Sequence, residues 1–471
     1  MNNTTRKNTS STKATLPSVK SYSEIVEFLD SRWQAQPKKD LTAFKELDKA
    51  LGSPSKATPL IAIAGTNGKG LTVNFTASLF HKEGLKVGAF YCPRVLTYNE
   101  QFALNNELIA NKTFADLANE VINTALVQDI AISSHEIIAM TALLYFKEQK
   151  ADVGIVELMH GSLDPLTIAT PKILAITRVT DDVIPANEQK TDDIIKDLIK
   201  NIKSETFVVS ADQSKAHLQL MQEETKKNGG TWAMPIRKLA PLGYPFEQLH
   251  GRCAALAERI GQVFVENFVH ADSLILENSF LAKQKGQRGR PTLEAKRHAE
   301  LNPKKTIDQF WQETIATLPA RFQVLEKEKP TILLDPSPNV DALKNLLLGV
   351  RLLNYQRPLK GIAFIFACDK KQMHVEEFLR QLRYFSKKNS AQIVFTPINE
   401  TIPGVFEETW DIEQIAHEVK AYKIKARTAQ TFQEAFETAK QLVDERNGLV
   451  VIAGSHAIIA DYWRSKGMKK L

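Results

Sequence analysis

Six consecutive residues, Gly65 to Gly70 with the sequence GTNGKG, have the composition of a loop that binds phosphate. Glycines allow the backbone to turn so that several N–H groups converge on phosphate oxygens, and a following helix adds a partial positive charge at its N-terminus. Lys69 supplies a full positive charge on a flexible side chain. The loop therefore predicts a nucleotide-phosphate site, and the alternative at this point is a tight turn without a ligand.

The elements on either side of the loop favour the phosphate site. Leu60 to Ala64 is a short apolar run that predicts a buried strand, and 72–82 has the period of a helix. A strand, a glycine-rich loop and a helix in this order are the context that such a loop requires. Lys86 to Cys92 predicts the next strand and completes a strand-helix-strand unit.

The same alternation continues along the chain and predicts an α/β fold, a parallel sheet covered by helices. Further strands are predicted at 153–157, 173–176, 207–209, 331–334, 361–366, 392–396 and 449–453. Further helices are predicted at 114–126, 136–147, 253–265, 340–353 and 375–385. We expect a disordered tail at 1–20, a nucleotide-binding domain at 21–320 and a smaller α/β domain at 321–471.

The loop and several later segments together resemble a known family. GTNGKG after a buried strand is similar to the loop of folylpolyglutamate synthases, which belong to the Mur ligase superfamily. Segments that resemble other motifs of this family, in the family's order, are Cys92-Pro93-Arg94, Tyr98-Asn99-Glu100, His135-Glu136, Val156-Glu157, Leu163-Asp164, Pro319-Ala320-Arg321, Asp335-Pro336-Ser337-Pro338-Asn339, Asp369-Lys370 and Gly454-Ser455. Because they are collinear from residue 21 onward, the chain is identified as a divergent member of the folylpolyglutamate and dihydrofolate synthase family. The resemblance implies a P-loop ATPase domain followed by a Rossmann-like ligase domain.

The resemblance also implies an activity and a set of site residues. ATP would phosphorylate a carboxylate of a folate or related acid, and the amine of L-glutamate would displace phosphate from the acyl phosphate to form an amide. The catalytic residues implied are Lys69, Glu157 and Asp182, and Mg²⁺ would be held by Glu157, Asp182 and Thr72. The residues implied to contact ATP are Gly65, Thr66, Asn67, Gly68, Lys69, Gly70, Thr72, Arg321 and Asp335. The alternative interpretations need no ligand. Lys69 would be a solvated lysine, Glu157 a glutamate at a strand end, and Arg321 and Asp335 would pair with each other.

Several positions depart from the family's pattern. Leu71 stands where a hydroxyl residue is expected, and Cys92 stands where a serine is expected. A thiol is a poor partner for Mg²⁺, which prefers hard oxygen ligands. Leu198 aligns with the lysine that the family carbamoylates, and Pro338 replaces a histidine. A second hypothesis therefore stays open, a non-catalytic nucleotide-binding protein on the same scaffold.

The charge of the chain is concentrated in one segment. The net charge is +7, and residues 283–305 contain eight Lys or Arg against two Glu. A nucleic-acid site is one interpretation, which a steep salt dependence of binding would support. The segment has no aromatic residues, so a solvated basic insertion at about 278–308 is favoured and a nucleic-acid partner is not expected.

The spacing of the cysteines and the hydropathy of the chain bear on the cellular compartment in which the protein is expected. The three cysteines have no paired spacing, which argues against disulfides and a zinc site, and no apolar run approaches the ~20 residues of a membrane span. Residues 1–20 contain no Asp or Glu, which a transit peptide or a disordered tail would explain. Ser21 and Glu24 then form a capping box, where we expect ordered structure to begin. We expect a cytoplasmic monomer whose partners are ATP, L-glutamate and a folate-like acid.

Overall fold

The computed structural model describes residues 18–33, 40–180, 190–269, 279, 281, 306–314, 318–370, 373, 375–400, 402–403 and 408–471. The tail at 1–17, Asp182 and most of the basic insertion lie outside these residues. The first helix begins where the sequence predicts, because the Ser21 hydroxyl accepts from the Glu24 N–H and the Glu24 carboxylate accepts from the Ser21 N–H. No described helix is long and apolar enough to cross a bilayer.

The N-terminal half of the described chain builds one large sheet. Its strands are β1 Leu60–Ala64, β2 Val87–Phe90, β3 Phe102–Leu104, β4 Glu107–Leu108, β5 Val153–Glu157, β6 Ile173–Ile176, β7 Phe207–Ser210 and β8 Thr231–Ala233. They lie in the order β4-β3-β2-β5-β1-β6-β7-β8, and the pairs β2–β3 and β3–β4 are antiparallel while the others are parallel. The helices of this half are α1 Tyr22–Asp30, α2 Thr42–Ala50, α3 Lys69–Lys82, α4 Asn111–Val127, α5 Ser134–Glu148, α6 Thr191–Ile199, α7 Lys215–Lys227, α8 Phe246–Phe268 and α9 Ile307–Glu313.

A second, smaller sheet follows in the C-terminal half. Its strands are β9 Gln323–Leu325, β10 Thr331–Leu334, β11 Ile362–Phe366, β12 Gln392–Phe395, β13 Ala426–Thr428 and β14 Leu449–Ala453, in the order β13-β12-β11-β14-β10-β9. All pairs are parallel except β9 with β10. The helices of this half are α10 Val340–Gln356, α11 Val375–Asn389, α12 Ile412–Ala421, α13 Phe432–Gln441 and α14 His456–Ser465.

Burial on both faces explains why the central strands are continuous apolar runs. In β1, Leu60 and Ala62 pack into the core on one face of the sheet, whereas Ile61 and Ile63 pack into the core on the other. A strand covered by helices on both sides needs apolar residues at every position, unlike a strand with one solvated face. The two α/β units predicted from the sequence are therefore confirmed, with the additional antiparallel strands β3, β4 and β9.

Helices α3 and α8 pack together and position the loop that precedes α3. Phe80 of α3 lies 5.0 Å from Phe264 of α8, measured between ring centroids. The sequence predicts α8 only from Cys253, but it begins at Phe246, so α8 presents a longer face to α3. As a result Cys253 lies beside the phosphate loop, where its sulfur would be 2.9 Å from a Cβ at Gly68.

Candidate functional site

The predicted phosphate loop joins β1 to α3 and lies against the chain that follows β6. Gly65 and Gly68 have φ values of +123° and +88°, which favour glycine. The Thr66 N–H donates to the Arg178 carbonyl at 2.6 Å. A Cβ at Gly65 would lie 2.9 Å from that same carbonyl oxygen, so the close approach of the two segments requires glycine.

Lys69 begins helix α3 and folds back over the loop. Its ammonium donates to the carbonyl of Gly65 at 3.0 Å and to that of Thr66 at 3.4 Å. It also lies 3.8 Å from a carboxylate oxygen of Glu157, an ion pair longer than a hydrogen bond. The sheet order explains this approach, because β5 pairs with β1 and Glu157 lies opposite Ile63, two residues before the loop.

Glu157 is a buried carboxylate at the carboxyl end of β5. One of its oxygens accepts from the Cys92 N–H at 3.2 Å. Burial raises the pKa of Glu157, and the nearby charges of Lys69 and Arg321 lower it only in part. Burial at this place therefore disfavours the charged form of the carboxylate relative to its charged form in water.

Arg321 and Asp335 reach the same place from the start of the second sheet. Asp335 follows β10 and accepts from the N–H groups of Phe322 and Ser337, each at 2.9 Å, and from the Ser337 hydroxyl at 2.6 Å. Burial lowers the pKa of Arg321, and the carboxylates of Glu157 and Asp335 raise it. The guanidinium is thus a partly buried cation near two carboxylates, rather than half of a solvated surface pair.

Two cavities meet at these residues. The larger, about 420 Å³, is lined by the loop from Thr66 to Thr72 together with Glu157, Arg321 and Asp335. The smaller, about 300 Å³, is lined by Asn74 of α3, by Tyr91 and the segment that follows β2, and by Ala103 of β3 and Leu108 of β4. Both cavities share Gly70, Cys92, Pro93, Glu157 and Arg321. The two cavities therefore adjoin at the carboxylate of Glu157 and the guanidinium of Arg321.

Most of the residues implied by the resemblance thus lie around one cavity. Two of the proposed metal ligands, Asp182 and Thr72, need separate comment. Asp182 lies outside the described residues. The hydroxyl of Thr72 donates to the Gly68 carbonyl at 2.9 Å, inside the first turn of α3, and its side chain is fully buried. Its oxygen keeps lone pairs for a further partner, but its proton is already used.

The departures from the family's pattern also lie in the larger cavity. Leu71 and Cys92 both line it. Burial raises the pKa of Cys92 well above its usual value, and the charges of Glu157 and Asp164 raise it further. The thiol is therefore neutral at physiological pH, and neither side chain offers the oxygen that the family's pattern leads one to expect.

Sequence reasoning missed a set of contacts that joins the two halves at the loop. The Asn67 amide donates to Asn339 at 3.0 Å and to Asp341 at 2.9 Å, and Asn339 donates back to Asn67 at 3.0 Å. Asp341 also pairs with Arg178 at 2.7 Å. Asn67 and Asn339 belong to motifs of the resemblance, whereas Arg178 and Asp341 lie outside those motifs.

The geometry of the loop leads to a direct prediction for nucleotide binding. In the parent protein, Mg-ATP at 100 times its dissociation constant should stabilise the fold by about 2.7 kcal/mol. Lys69→Ala should weaken binding about tenfold, which halves the stabilisation to about 1.4 kcal/mol at the same concentration. Gly68→Val should also suppress it, because Gly68 has a positive φ and the Cys253 sulfur lies in the path of the side chain. Thermal melts with and without Mg-ATP measure both effects.

Lys82→Ala, at the exposed end of the same helix, is the matched control for loss of a lysine. It should keep the full shift. A parent protein whose melting temperature ignores millimolar Mg-ATP would remove the phosphate-loop interpretation.

Comparison with known proteins finds distant relatives of the chain. A family model described as the C-terminal domain of dihydrofolate synthetase matches residues 319–465. The dihydrofolate synthase/folylpolyglutamate synthase of Bacillus subtilis is 25% identical over 343 residues, which cover 69% of this chain and 75% of that protein. The chain is therefore similar to folylpolyglutamate and dihydrofolate synthases, as a distant relative at about 25% identity.

Solved structures of the family have the same fold. Mycobacterium tuberculosis folylpolyglutamate synthase complexed with ADP matches with a TM-score of 0.74 at 16% identity, over 96% of this chain and 99% of that one. The bifunctional folylpolyglutamate synthase/dihydrofolate synthase of Yersinia pestis, complexed with AMPPNP and a Mn ion, matches with a TM-score of 0.70 at 20% identity, over 97% and 100%. The fold of this chain is therefore shared with both of these proteins over nearly their whole length.

Proposed function

We propose that the chain is an ATP-dependent ligase that joins L-glutamate to a folate or a related carboxylic acid. The observation that carries the proposal is the shared boundary of the two cavities, where Lys69, Glu157 and Arg321 meet. The larger cavity contains the phosphate loop and suits a nucleotide, and the smaller one suits part of an acid substrate. The names of the family's members support this choice of substrates.

The proposed reaction has two steps. A carboxylate oxygen of the acid attacks the terminal phosphorus of ATP, ADP leaves, and an acyl phosphate forms. The amine of glutamate then attacks the acyl carbon, loses a proton, and expels inorganic phosphate as the amide bond forms. Neither step needs a nucleophile from the protein, so catalysis depends on positioning and on stabilising negative charge.

The described residues have separate roles in this reaction. The backbone N–H groups of the loop and the Lys69 ammonium hold the phosphates of the nucleotide. Arg321, a partly buried cation at the boundary, stabilises the charge of the transferring phosphoryl group. Asp335 orients the segment that carries Arg321, through its bond to the Phe322 N–H.

The site fits a magnesium ion with one protein carboxylate. Among the described residues, no three His, Cys, Asp or Glu side chains are placed to hold a metal by themselves. Mg²⁺ usually binds one or two carboxylates and completes its shell with phosphates and water, so a full protein cage is not required. Glu157 is the described residue that would hold it, and its raised pKa shows a carboxylate that a cation would stabilise. Asp182 and Thr72 remain the other proposed ligands. When bound, the ion would neutralise charge between the two terminal phosphates.

A second function is favoured by the lining of the larger cavity. Leu71 and the neutral thiol of Cys92 offer no hard oxygen beside the phosphate loop. Loss of a single charge-stabilising group typically costs about 2.7–4 kcal/mol in the transition state. Several such losses would leave a protein that binds a nucleotide without turning it over.

One experiment separates the two functions. Purified protein is incubated with Mg-ATP, L-glutamate and each member of a panel of pteroates and folates, and phosphate release and product mass are measured. A ligase should release phosphate only when both the acid and glutamate are present, and the product should gain one glutamate. Nucleotide binding without phosphate release for any acid would establish the second function, and absence of nucleotide binding would contradict both.

A further inference from the structure

His456 is a buried side chain at the cavity that has no role in the reaction described above. It is the first residue of α14, directly after the turn that leaves β14. The Gly454 N–H donates to the Pro336 carbonyl at 2.8 Å, which fixes this turn to the loop that carries Asp335. The ring is 7% exposed and lines the larger cavity, across from the phosphate loop.

The ring carries a polar atom without a partner. Nε2 of His456 is buried and makes no hydrogen bond within the part of the chain that the structure describes. Leaving a buried polar group unsatisfied costs about 1–3 kcal/mol, so such groups in native structures call for an explanation. Since the ring lines the cavity, a bound molecule is a suitable partner.

The surroundings of the ring define the chemistry of that partner. Burial lowers the pKa of His456 well below its usual value, and the charges of Arg321 and Lys69 lower it further. A neutral imidazole has one donor and one acceptor nitrogen, so it can donate to an anion without adding charge. The N-terminus of α14, capped where the Ser455 hydroxyl accepts from the Ile458 N–H at 3.3 Å, adds a partial positive charge. Two cations, a helix N-terminus and a free donor together suit a phosphoryl oxygen.

We propose that His456 donates a hydrogen bond from Nε2 to the terminal phosphoryl group of a bound nucleoside triphosphate, and so distinguishes the triphosphate from the diphosphate. This inference rests on the nucleotide site of the proposed function. The terminal phosphoryl is chosen because Arg321 and Lys69, the two cations that act on His456, lie beside Glu157 at the boundary with the smaller cavity. In this arrangement the C-terminal sheet contacts the group that is transferred.

The test compares the binding of two nucleotides to the parent protein and to two variants. ADP and a non-hydrolysable ATP analogue are titrated by calorimetry into the parent protein, His456→Phe and His456→Gln. His456→Phe keeps the ring shape but removes the donor, so the analogue should bind about tenfold or more weakly, whereas ADP binding should change less than about threefold. His456→Gln, whose amide nitrogen can occupy the place of Nε2, should recover most of the preference for the analogue.

The matched control is His81→Phe. His81 lies at the exposed end of α3 and lines neither cavity, so the change removes a histidine without altering the nucleotide site. It should leave the ratio of the two affinities unchanged. If His456→Phe does not fold, His456→Asn replaces it, since its shorter amide reaches the place of Nδ1 instead and should lose the preference that His456→Gln keeps.

The outcomes separate this inference from the proposed function. A parent protein that binds neither nucleotide would overturn both. A parent that binds both nucleotides, with an affinity ratio that no change at position 456 alters, would overturn the role of His456 alone. An equal loss for ADP and the analogue would do the same, since it would place His456 against the inner phosphates or the loop.

Discussion

Glu157→Gln should lower the rate of ATP-dependent amide formation by about a hundredfold or more, the typical effect of removing one charge-stabilising group. The carboxylate lies at the boundary of the two cavities, 3.8 Å from the Lys69 ammonium, and is the described residue proposed to hold the metal. Affinity for the nucleotide should fall less than about tenfold, because the loop N–H groups and Lys69 still hold the phosphates. Steady-state kinetics and calorimetry measure the two effects separately.

The matched control is Glu258→Gln. Glu258 is also buried, accepts from the Trp311 indole at 3.0 Å, and has a pKa raised by burial, but it lines neither cavity. Its variant should retain activity close to that of the parent. An active parent whose rate is insensitive to Glu157→Gln would contradict the metal assignment.

The same variant should raise the stability of the protein without ligand at neutral pH. A carboxyl group whose folded pKa lies above its unfolded value binds protons more tightly in the folded state. Its contribution to stability is complete below the usual glutamate pKa of 4.5 and is lost as the pH rises through the raised pKa. The melting temperature of Glu157→Gln should therefore exceed that of the parent by a margin that grows as the pH rises above 4.5. This readout does not depend on catalysis, so it also applies if the protein only binds a nucleotide.

Gly65→Ala should abolish nucleotide binding at concentrations that saturate the parent, an effect of about a hundredfold or more. Gly65 has a φ of +123°, and a Cβ would lie 2.4 Å from the Thr177 hydroxyl oxygen and 2.9 Å from the Arg178 carbonyl oxygen. The carbonyl belongs to the backbone and cannot rotate away, so the loop must move and its N–H groups no longer converge. Strain and overpacking should together lower the free energy of unfolding by about 2–5 kcal/mol. Urea denaturation and ADP titration measure the two losses.

Gly84→Ala separates the steric clash from the cost of a positive φ. Gly84 has a φ of +91°, and nothing lies within 4 Å of its Cβ position. It should lose only about 1–2 kcal/mol and bind ADP like the parent. If Gly65→Ala instead binds ADP normally, the loop does not hold phosphate by its backbone.

The central strands could be predicted from the sequence with few errors. β1, β5, β6, β10 and β14 have the bounds that their apolar runs predict. These strands are covered by helices on both sides, so most of their residues are apolar and the run itself marks both ends. The shorter strands β3, β4, β8, β9 and β13 were missed, because two or three residues at or next to a sheet edge carry too little pattern.

The phosphate loop could also be predicted from a short stretch of sequence. Its function depends on glycines, a lysine and a helix N-terminus that are contiguous in sequence, and the structure places them between β1 and α3 as the sequence predicts. Collinear motifs identified the family and brought Glu157, Arg321 and Asp335 forward as candidates. They could not show that these residues meet, since 164 positions separate Glu157 from Arg321.

What joins them is the order of strands, which the tertiary structure alone decides. Pairing of β1 with β5 brings Glu157 beside the loop, and insertion of β14 between β10 and β11 brings His456 beside Asp335. A strand can pair with several others of similar hydrophobicity, so its own sequence does not specify its neighbours. The sequence by itself thus determined the phosphate loop and the apolar strands that flank it. The meeting of Lys69, Glu157, Arg321 and His456 around one cavity was decided by packing, because it depends on contacts between segments that are distant along the chain.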